Sequence, residues 1–400
     1  MKAEEQQKKI QQNLKKLEIE KIGNIEDALK EKFGTDSARI TEKWESLAME
    51  ADSSDCPGRQ DKLYDFLHLD PELSRIVSNY TDADIIQCFA VWISSHLEYF
   101  GKNILDVGCG TGILSCLMAD MLPDSQILAI DRSESCIRIA EKMKRKIGVQ
   151  NIEFQHFPLE NLDGTLFDTV FSARTFHENI GIRKSQIRFL PFAKQVDAYE
   201  TIYRDYLKQI CSKVSAGGYL VCLERNQMDT EFYSIMKVLH SAGIQIFPDS
   251  LEEIYCDESD FSEKSVFQTL AGKKCQAYVD SPASEKTVFQ IWKSRAFSQS
   301  GDPGQFTRSE ADCYLEECSA DLIEGFESYD LQGTQLGKNL LLKKKEDNTH
   351  FLLYQANYKN AGIQVLPAEK LEEVKDMLAD RRIIDQAMGF IVKEIKSLEM

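Results

Sequence analysis

The run Ile104-Leu105-Asp106-Val107-Gly108-Cys109-Gly110-Thr111-Gly112-Ile113-Leu114-Ser115 constrains this chain more than any other stretch. A short apolar segment enters three alternating glycines and leaves as a helical apolar pattern that stops at Pro123. Glycines at that spacing permit a tight strand-to-helix turn and leave bare main chain where a side chain would block a ligand. The helix start offers unpaired N–H groups to an anionic group. Around this hinge, strand patterns at Asn103–Val107, Gln126–Ile130, Ile152–Phe157, Phe167–Ala173, Tyr219–Glu224 and Ile244–Phe247 alternate with helical ones at Ser133–Lys146, Asp197–Val214 and Thr230–Ser241. Thr287–Lys293 is a candidate seventh strand. Such alternation predicts an α/β fold with a doubly wound, mostly parallel seven-stranded sheet.

The flanks differ. In residues 1–58, Ile10, Leu14 and Leu17 fall at helical spacing, and Gly23 and Gly34 interrupt any heptad, so amphipathic helices packed on their own domain are expected. Ser53 to Gly58 reads as a break, and a helical pattern resumes over Lys62–Tyr99. After a Ser-, Gly- and Pro-rich linker at Ser298–Gly304 comes a helix near Ser309–Cys318. Strand patterns at Leu322–Tyr329, Lys338–Lys344, His350–Tyr358 and Ile363–Leu366 follow, then helices from Glu369 onward. The expected organisation is an N-terminal helical segment over 1–58, a ligand-binding domain over 59–297 and a small α+β domain over 298–400. Ser262-Glu263-Lys264-Ser265-Val266-Phe267-Gln268 nearly recurs at Ser284–Gln290, which two copies do not make a repeat architecture.

Composition excludes some functions. With 48 Lys and Arg against 65 Asp and Glu, the formal charge is −17, which disfavours non-specific binding to nucleic acid or an anionic membrane. The most apolar stretch, Ile85–Ile93, is too short for a membrane span, and the charged start Met1–Lys9 is unlike a secretory signal. Eleven cysteines without CxxC pairing point away from zinc or a disulfide framework and toward a reducing, cytoplasmic setting.

Asp131 ends the second strand about twenty residues after the loop, where a carboxylate can accept from ribose hydroxyls. A nicotinamide dinucleotide would ask for Gly-x-Gly-x-x-Gly, whose nearest match, Gly110-x-Gly112-x-x-Ser115, lacks the third glycine. An acid two positions before Gly-x-Gly-x-Gly is met in full by Asp106, Gly108, Gly110 and Gly112. In this the sequence resembles the class I S-adenosylmethionine-dependent methyltransferases. The likeness extends to Asp131-Arg132-Ser133, to Phe167–Phe171 and to Ser215-Ala216-Gly217-Gly218-Tyr219-Leu220, and covers roughly residues 60–297.

The resemblance implies a Rossmann-like methyltransferase with S-adenosylmethionine as cofactor. Asp106, Gly108, Cys109, Gly110 and Gly112 would hold its methionine part, and Asp131 with Arg132 the ribose side. The family places an acid after the third strand to read the adenine amino group. Here the turn is Phe157-Pro158-Leu159-Glu160, so either Glu160 or the backbone at Leu159 with Phe157 would serve. Methyl transfer from a sulfonium is an in-line displacement that asks the protein to position, desolvate and, where needed, take a proton. His177 and Glu178, just after the fourth strand, are the expected proton acceptor or cation anchor. The basic and aromatic segment Gly181–Lys194 reads either as a lid over the acceptor or as a solvated connector. A small-molecule acceptor is expected, with no metal, no nucleic acid and no membrane partner. The alternatives are a protein methyltransferase and a cofactor-binding regulator without catalysis. The glycine loop is similar to that of protein arginine methyltransferases, but their second loop glutamate and Thr-His-Trp turn are missing from this sequence.

Overall fold

The computed structural model describes residues 3–53, 60–176, 187, 192–225, 229–256, 265–275, 306–307, 320–344, 350–357 and 360–397. The chain divides into two compact units. The first comprises Met1–Lys184, Tyr199–Gln227 and Ser234–Glu285, and the second Ser185–Ala198, Met228–Tyr233 and Lys286–Met400.

The first unit is built on a sheet with β1 (Asn103–Val107) near its centre. The strands β2 (Gln126–Asp131), β3 (Ile152–His156), β4 (Phe167–Ala173), β5 (Val214–Glu224), β6 (Ile244–Ile246), β7 (Glu253–Cys256) and β8 (Ser265–Lys274) complete it. Their order is β3-β2-β1-β4-β5-β8-β6, with β7 also pairing to β8. Strands β1 to β5 pair in parallel, whereas β8 runs antiparallel to β5, β6 and β7. The seven positions of the main path match the expected doubly wound sheet, and β7 is an eighth short strand. The strand expected as the seventh is supplied by β8, which lies between β5 and β6; Thr287–Lys293 lies outside the described residues.

Central strands of a parallel sheet are covered on both faces, so their side chains alternate between two buried layers. Ile104, Ile127, Ala129, Phe154, Phe171, Val221 and Leu223 share one cluster with helices α1 (Ala3–Lys16), α6 (Ala83–Ser95), α7 (Ile113–Met121) and α8 (Glu134–Ile147). The alternate set, Leu105, Val170, Leu220 and Cys222, is equally buried. Ile10 and Leu14 of α1, and Leu17 just after it, are at most 3% exposed, so the apolar stripe of the first helix packs on its own unit. A second cluster joins Leu29 of α2 (Ile25–Phe33) to Leu67, Leu73, Ile76 and Val77, with Ile40 and Trp44 of α3 (Ser37–Ser53) against it.

The helical pattern over Lys62–Tyr99 is not one helix but three, α4 (Asp61–Leu67), α5 (Pro71–Thr81) and α6. The break is at Asp70-Pro71: a residue before proline avoids the helical region, and Pro71 suits a first helical position. Asp70 Oδ1 caps α5 by accepting from the amides of Glu72 and Leu73 at 2.8 and 3.1 Å. Two later helices, α9 (Phe192–Ser212) and α10 (Asp229–Ser241), flank β5 in the chain.

The second unit carries an antiparallel sheet in the order β14-β10-β11-β12-β13-β9. Its strands are β9 (Phe306–Thr307), β10 (Ala320–Tyr329), β11 (Gln335–Lys344), β12 (His350–Ala356), β13 (Asn360–Pro367) and β14 (Ile391–Glu394). Val374 and Leu378 of α11 (Leu371–Ala387) pack with Phe326, Leu341, Phe351 and Leu353. The expected α+β character holds, but helix does not continue from Glu369 to the end. Gly389, at φ +83°, follows α11, and β14 returns to pair with β10. The expected helix at Ser309–Cys318 and linker at Ser298–Gly304 lie outside the described residues.

Candidate cofactor and acceptor site

The carboxyl ends of β1, β2, β3 and β4 open on one cavity of about 720 Å³. Ligands of open α/β sheets bind at this edge, where the strand order reverses about the first strand. Asp106, Gly108, Cys109, Gly110, Asp131, Arg132, Leu159 and Glu160 all line it.

The loop is tied down by its neighbour strand. The amides of Gly108 and Cys109 donate to the Ile130 carbonyl at 2.9 and 3.0 Å, and Gly110 N–H donates to Asp131 Oδ2 at 2.8 Å. Asp131 Oδ1 accepts from the Ser133 amide at 2.8 Å. Gly110 and Gly112 do different work. At Gly110 (φ +54°) an added Cβ would meet nothing within 4 Å, so this is open main chain on the cavity. At Gly112 (φ +71°) a Cβ would fall 2.6 Å from Ala140 Cβ and 2.7 Å from the Phe154 ring. Gly112 thus serves the packing of α8 and β3 against the loop and is not among the cavity-lining residues.

Asp106 is 3% exposed and accepts from Ser115 Oγ of α7 at 2.6 Å. Burial raises its pKa to about 7, with the nearby Asp131 adding to the rise and the Ser115 hydrogen bond opposing it. Burial also raises Asp131, against the Ser133 and Gly110 amides that favour its charge. The Cys109 thiol is pushed well up by burial, which suits a packed loop residue rather than a nucleophile. After β3, a 3-10 turn at Leu159–Asn161 buries Leu159 and leaves Glu160 exposed at the cavity, so both expected adenine contacts face the same space.

The other side of the cavity was not legible as a motif. Asp61, Tyr64, Asp65 and His68, on and just after α4, recur at helical spacing and line it together. Asp61 pairs with Arg132 Nε at 2.8 Å, and Asp65 Oδ1 accepts from Ser133 Oγ at 3.0 Å. Through these contacts α4 is fastened over the end of β2. His68 stacks on Tyr64, its Nδ1 lies 2.7 Å from Ser74 Oγ, and burial lowers its pKa to about 4, so the ring is neutral near pH 7. At the end of β4, Arg174 sits at φ +61° and its Nη1 donates to Asp82 Oδ1 at 2.7 Å. A non-glycine residue held in that region stores strain of about 1 kcal/mol or more, of the kind found at ligand sites.

The turn beyond Arg174 is held from below. Buried Glu224 accepts from the amides of Thr175 and Phe176, each at 3.2 Å, and from Ser172 Oγ at 3.0 Å. Tyr206 Oη donates to Thr175 Oγ1 at 2.8 Å. His177 and Glu178 come next in the chain and lie outside the described residues, as does most of Gly181–Lys194.

Residues 100–276 match a protein-family model described as "Methyltransferase domain". The ribosomal RNA small subunit methyltransferase G of Pelodictyon phaeoclathratiforme is 26% identical over 186 residues, 45% of this chain and 68% of that protein. The ubiquinone biosynthesis O-methyltransferase of Azotobacter vinelandii is 37% identical over 82 residues, 20% of this chain and 34% of that protein. The ribosomal protein L11 methyltransferase of Thermotoga petrophila is 42% identical over 72 residues, 18% of this chain and 26% of that protein. The named acceptors of these three are an RNA, a small molecule and a protein. The expectation that nucleic acid is no partner therefore has no support from the relatives. Among the described residues, no helix is long and apolar enough to cross a membrane.

Proposed function

We propose that the chain is a class I S-adenosylmethionine-dependent methyltransferase and that it methylates a small-molecule acceptor held beneath α4. The observation that carries this reading is the cavity itself. At about 720 Å³ it is of the size that encloses ligands, and it continues past the cofactor residues to Tyr64, His68, Arg174 and Tyr206. Its acceptor side carries Asp61, Asp65 and Asp82, with Arg132 and Arg174 already paired to two of them. A lining of that sign repels a phosphate backbone, which disfavours RNA.

The residues present fit the cofactor. Open main chain at Gly110 can lie against the methionine part, the Asp131 carboxylate can take ribose hydroxyls, and Leu159 and Glu160 flank the adenine side. When bound, the cofactor supplies a methyl group already activated by positive sulfur. The protein's share is to hold the acceptor in line, keep water out beneath α4, and take a proton where the acceptor carries one. We assign the last task to His177 and Glu178. The Glu224 hydrogen bonds fix the turn that leads to them, at the strand end facing the cavity.

Supplying labelled S-adenosylmethionine to a small-metabolite extract, a protein extract and total RNA in parallel tests the reading. Label should pass into the metabolite fraction, and transfer confined to protein or RNA would overturn it. Full turnover in both His177→Ala and Glu178→Gln would remove the catalytic assignment.

A further inference from the structure

We propose that Asp106 meets the cofactor as an uncharged carboxylic acid and gives up its proton when the cofactor's ammonium group arrives, so that cofactor loading releases a proton to solvent. The proposal rests on the reading of this cavity as the cofactor site and adds a pH dependence to it.

The geometry carries the argument. Asp106 lines the cavity, yet it is 3% exposed. Among the described residues its hydrogen-bond partner is a single hydroxyl, Ser115 Oγ at 2.6 Å, and no Lys, Arg or His forms an ion pair with it. Among the described residues the titratable groups facing it are Asp131 from β2, Cys109 from the loop and Cys116 from α7, and β4 sets Phe171 alongside. The first of these repels a carboxylate, and both thiols stay neutral because burial raises their pKa values. A carboxylate without a cation, removed from water, takes up a proton instead of holding its charge. The shift to about 7, with burial as its largest cause, agrees with that expectation.

Ser115 suits both states. A hydroxyl can accept from a carboxylic acid and donate to a carboxylate, so the pair survives the change. The step balances simply: a neutral carboxyl and an ammonium ligand become a carboxylate–ammonium pair, and one proton leaves to water. At low pH this proton must be displaced, so cofactor affinity falls as pH falls through the free-state pKa.

Titration calorimetry of the whole chain tests this with two probes, S-adenosylhomocysteine and 5′-methylthioadenosine, the latter lacking the amino-acid part. Repeating each titration at pH 6.5 in buffers of different ionisation enthalpy counts the protons. S-adenosylhomocysteine should release roughly three quarters of a proton, and its affinity should fall about fivefold between pH 7 and pH 6. Methylthioadenosine, which shares the ribose next to Asp131, should release none. Asp106→Asn, a neutral isostere, should abolish the release. Binding of S-adenosylhomocysteine without release, or equal release with both probes, overturns the proposal and leaves the cofactor reading standing. Failure of both probes to bind overturns that reading and the proposal with it.

Discussion

The two sides of the cavity are built by different means. On the side assigned to the cofactor the lining is main-chain groups and a few carboxylates at fixed spacing: Gly108 to Thr111, Asp106 and Asp131. On the acceptor side they are side chains from α4, α5, α6, the tip of β4 and α9, held by one another. Around Gly108 and Gly112 an added Cβ would fall within 2.6 Å of a neighbouring side chain, so those positions are dictated one by one. A side-chain surface can exchange one pairing for another, which is how one fold comes to serve many acceptors. The relatives that share the domain accordingly name an RNA, a small molecule and a protein as acceptors.

That difference can be broken experimentally, and the largest effects belong to the cofactor side. Gly112→Ala combines a left-handed backbone with a Cβ 2.6 Å from Ala140, and should cost about 3 kcal/mol of stability in denaturant unfolding. Asp106→Asn should act through pH. The folded pKa of about 7 lies above the unfolded value of 3.8. The stability Asp106 contributes is therefore present in acid and is lost as pH rises toward 7. The asparagine variant should be more stable than the parent at pH 8, by up to about 4 kcal/mol, with the gap closing toward pH 4. Gly110→Ala separates binding from folding. Its Cβ meets no protein atom, so stability should fall only about 1 kcal/mol, whereas calorimetry should show S-adenosylhomocysteine bound at least about tenfold more weakly. A Gly110→Ala chain that binds normally would show that the cofactor does not rest on this loop.

How much of this could be read from sequence follows the same division. The loop and Asp131 were legible because a strand-to-helix turn fixes its geometry within a dozen residues and Asp131 ends the next strand. The acceptor side was not, since Asp65 meets Ser133 and Asp82 meets Arg174 only through tertiary packing. The seventh sheet position shows the limit of local pattern. Ser265-Val266-Phe267-Gln268 and Thr287-Val288-Phe289-Gln290 are nearly the same words, so periodicity could not choose between them. The structure sets the first beside β7, with Gln268 also paired to Glu224 of β5, and Phe267 meets Phe89 edge-on at 5.1 Å. The break at Asp70-Pro71 did carry a signal, an N-cap before a proline, which the long helical periodicity over Lys62–Tyr99 overrode.

That break offers the smallest and most discriminating effect. Asp70→Ala removes the acceptor for two amides at the start of α5 and should cost about 1 kcal/mol in denaturant unfolding. The consequence should be local. Ser74, one turn into α5, holds the His68 ring, so loosening that turn frees His68 to leave Tyr64 and face water. A ring released from burial regains an ordinary pKa, so in nuclear magnetic resonance the His68 titration should move from about 4 toward 6.5. Affinity for S-adenosylhomocysteine should stay within about twofold, because the loop and Asp131 are anchored by β2 and not by α5. If the His68 titration and cofactor affinity moved together, the two sides would be one mechanical unit, and the contrast between a dictated surface and an exchangeable one would fail.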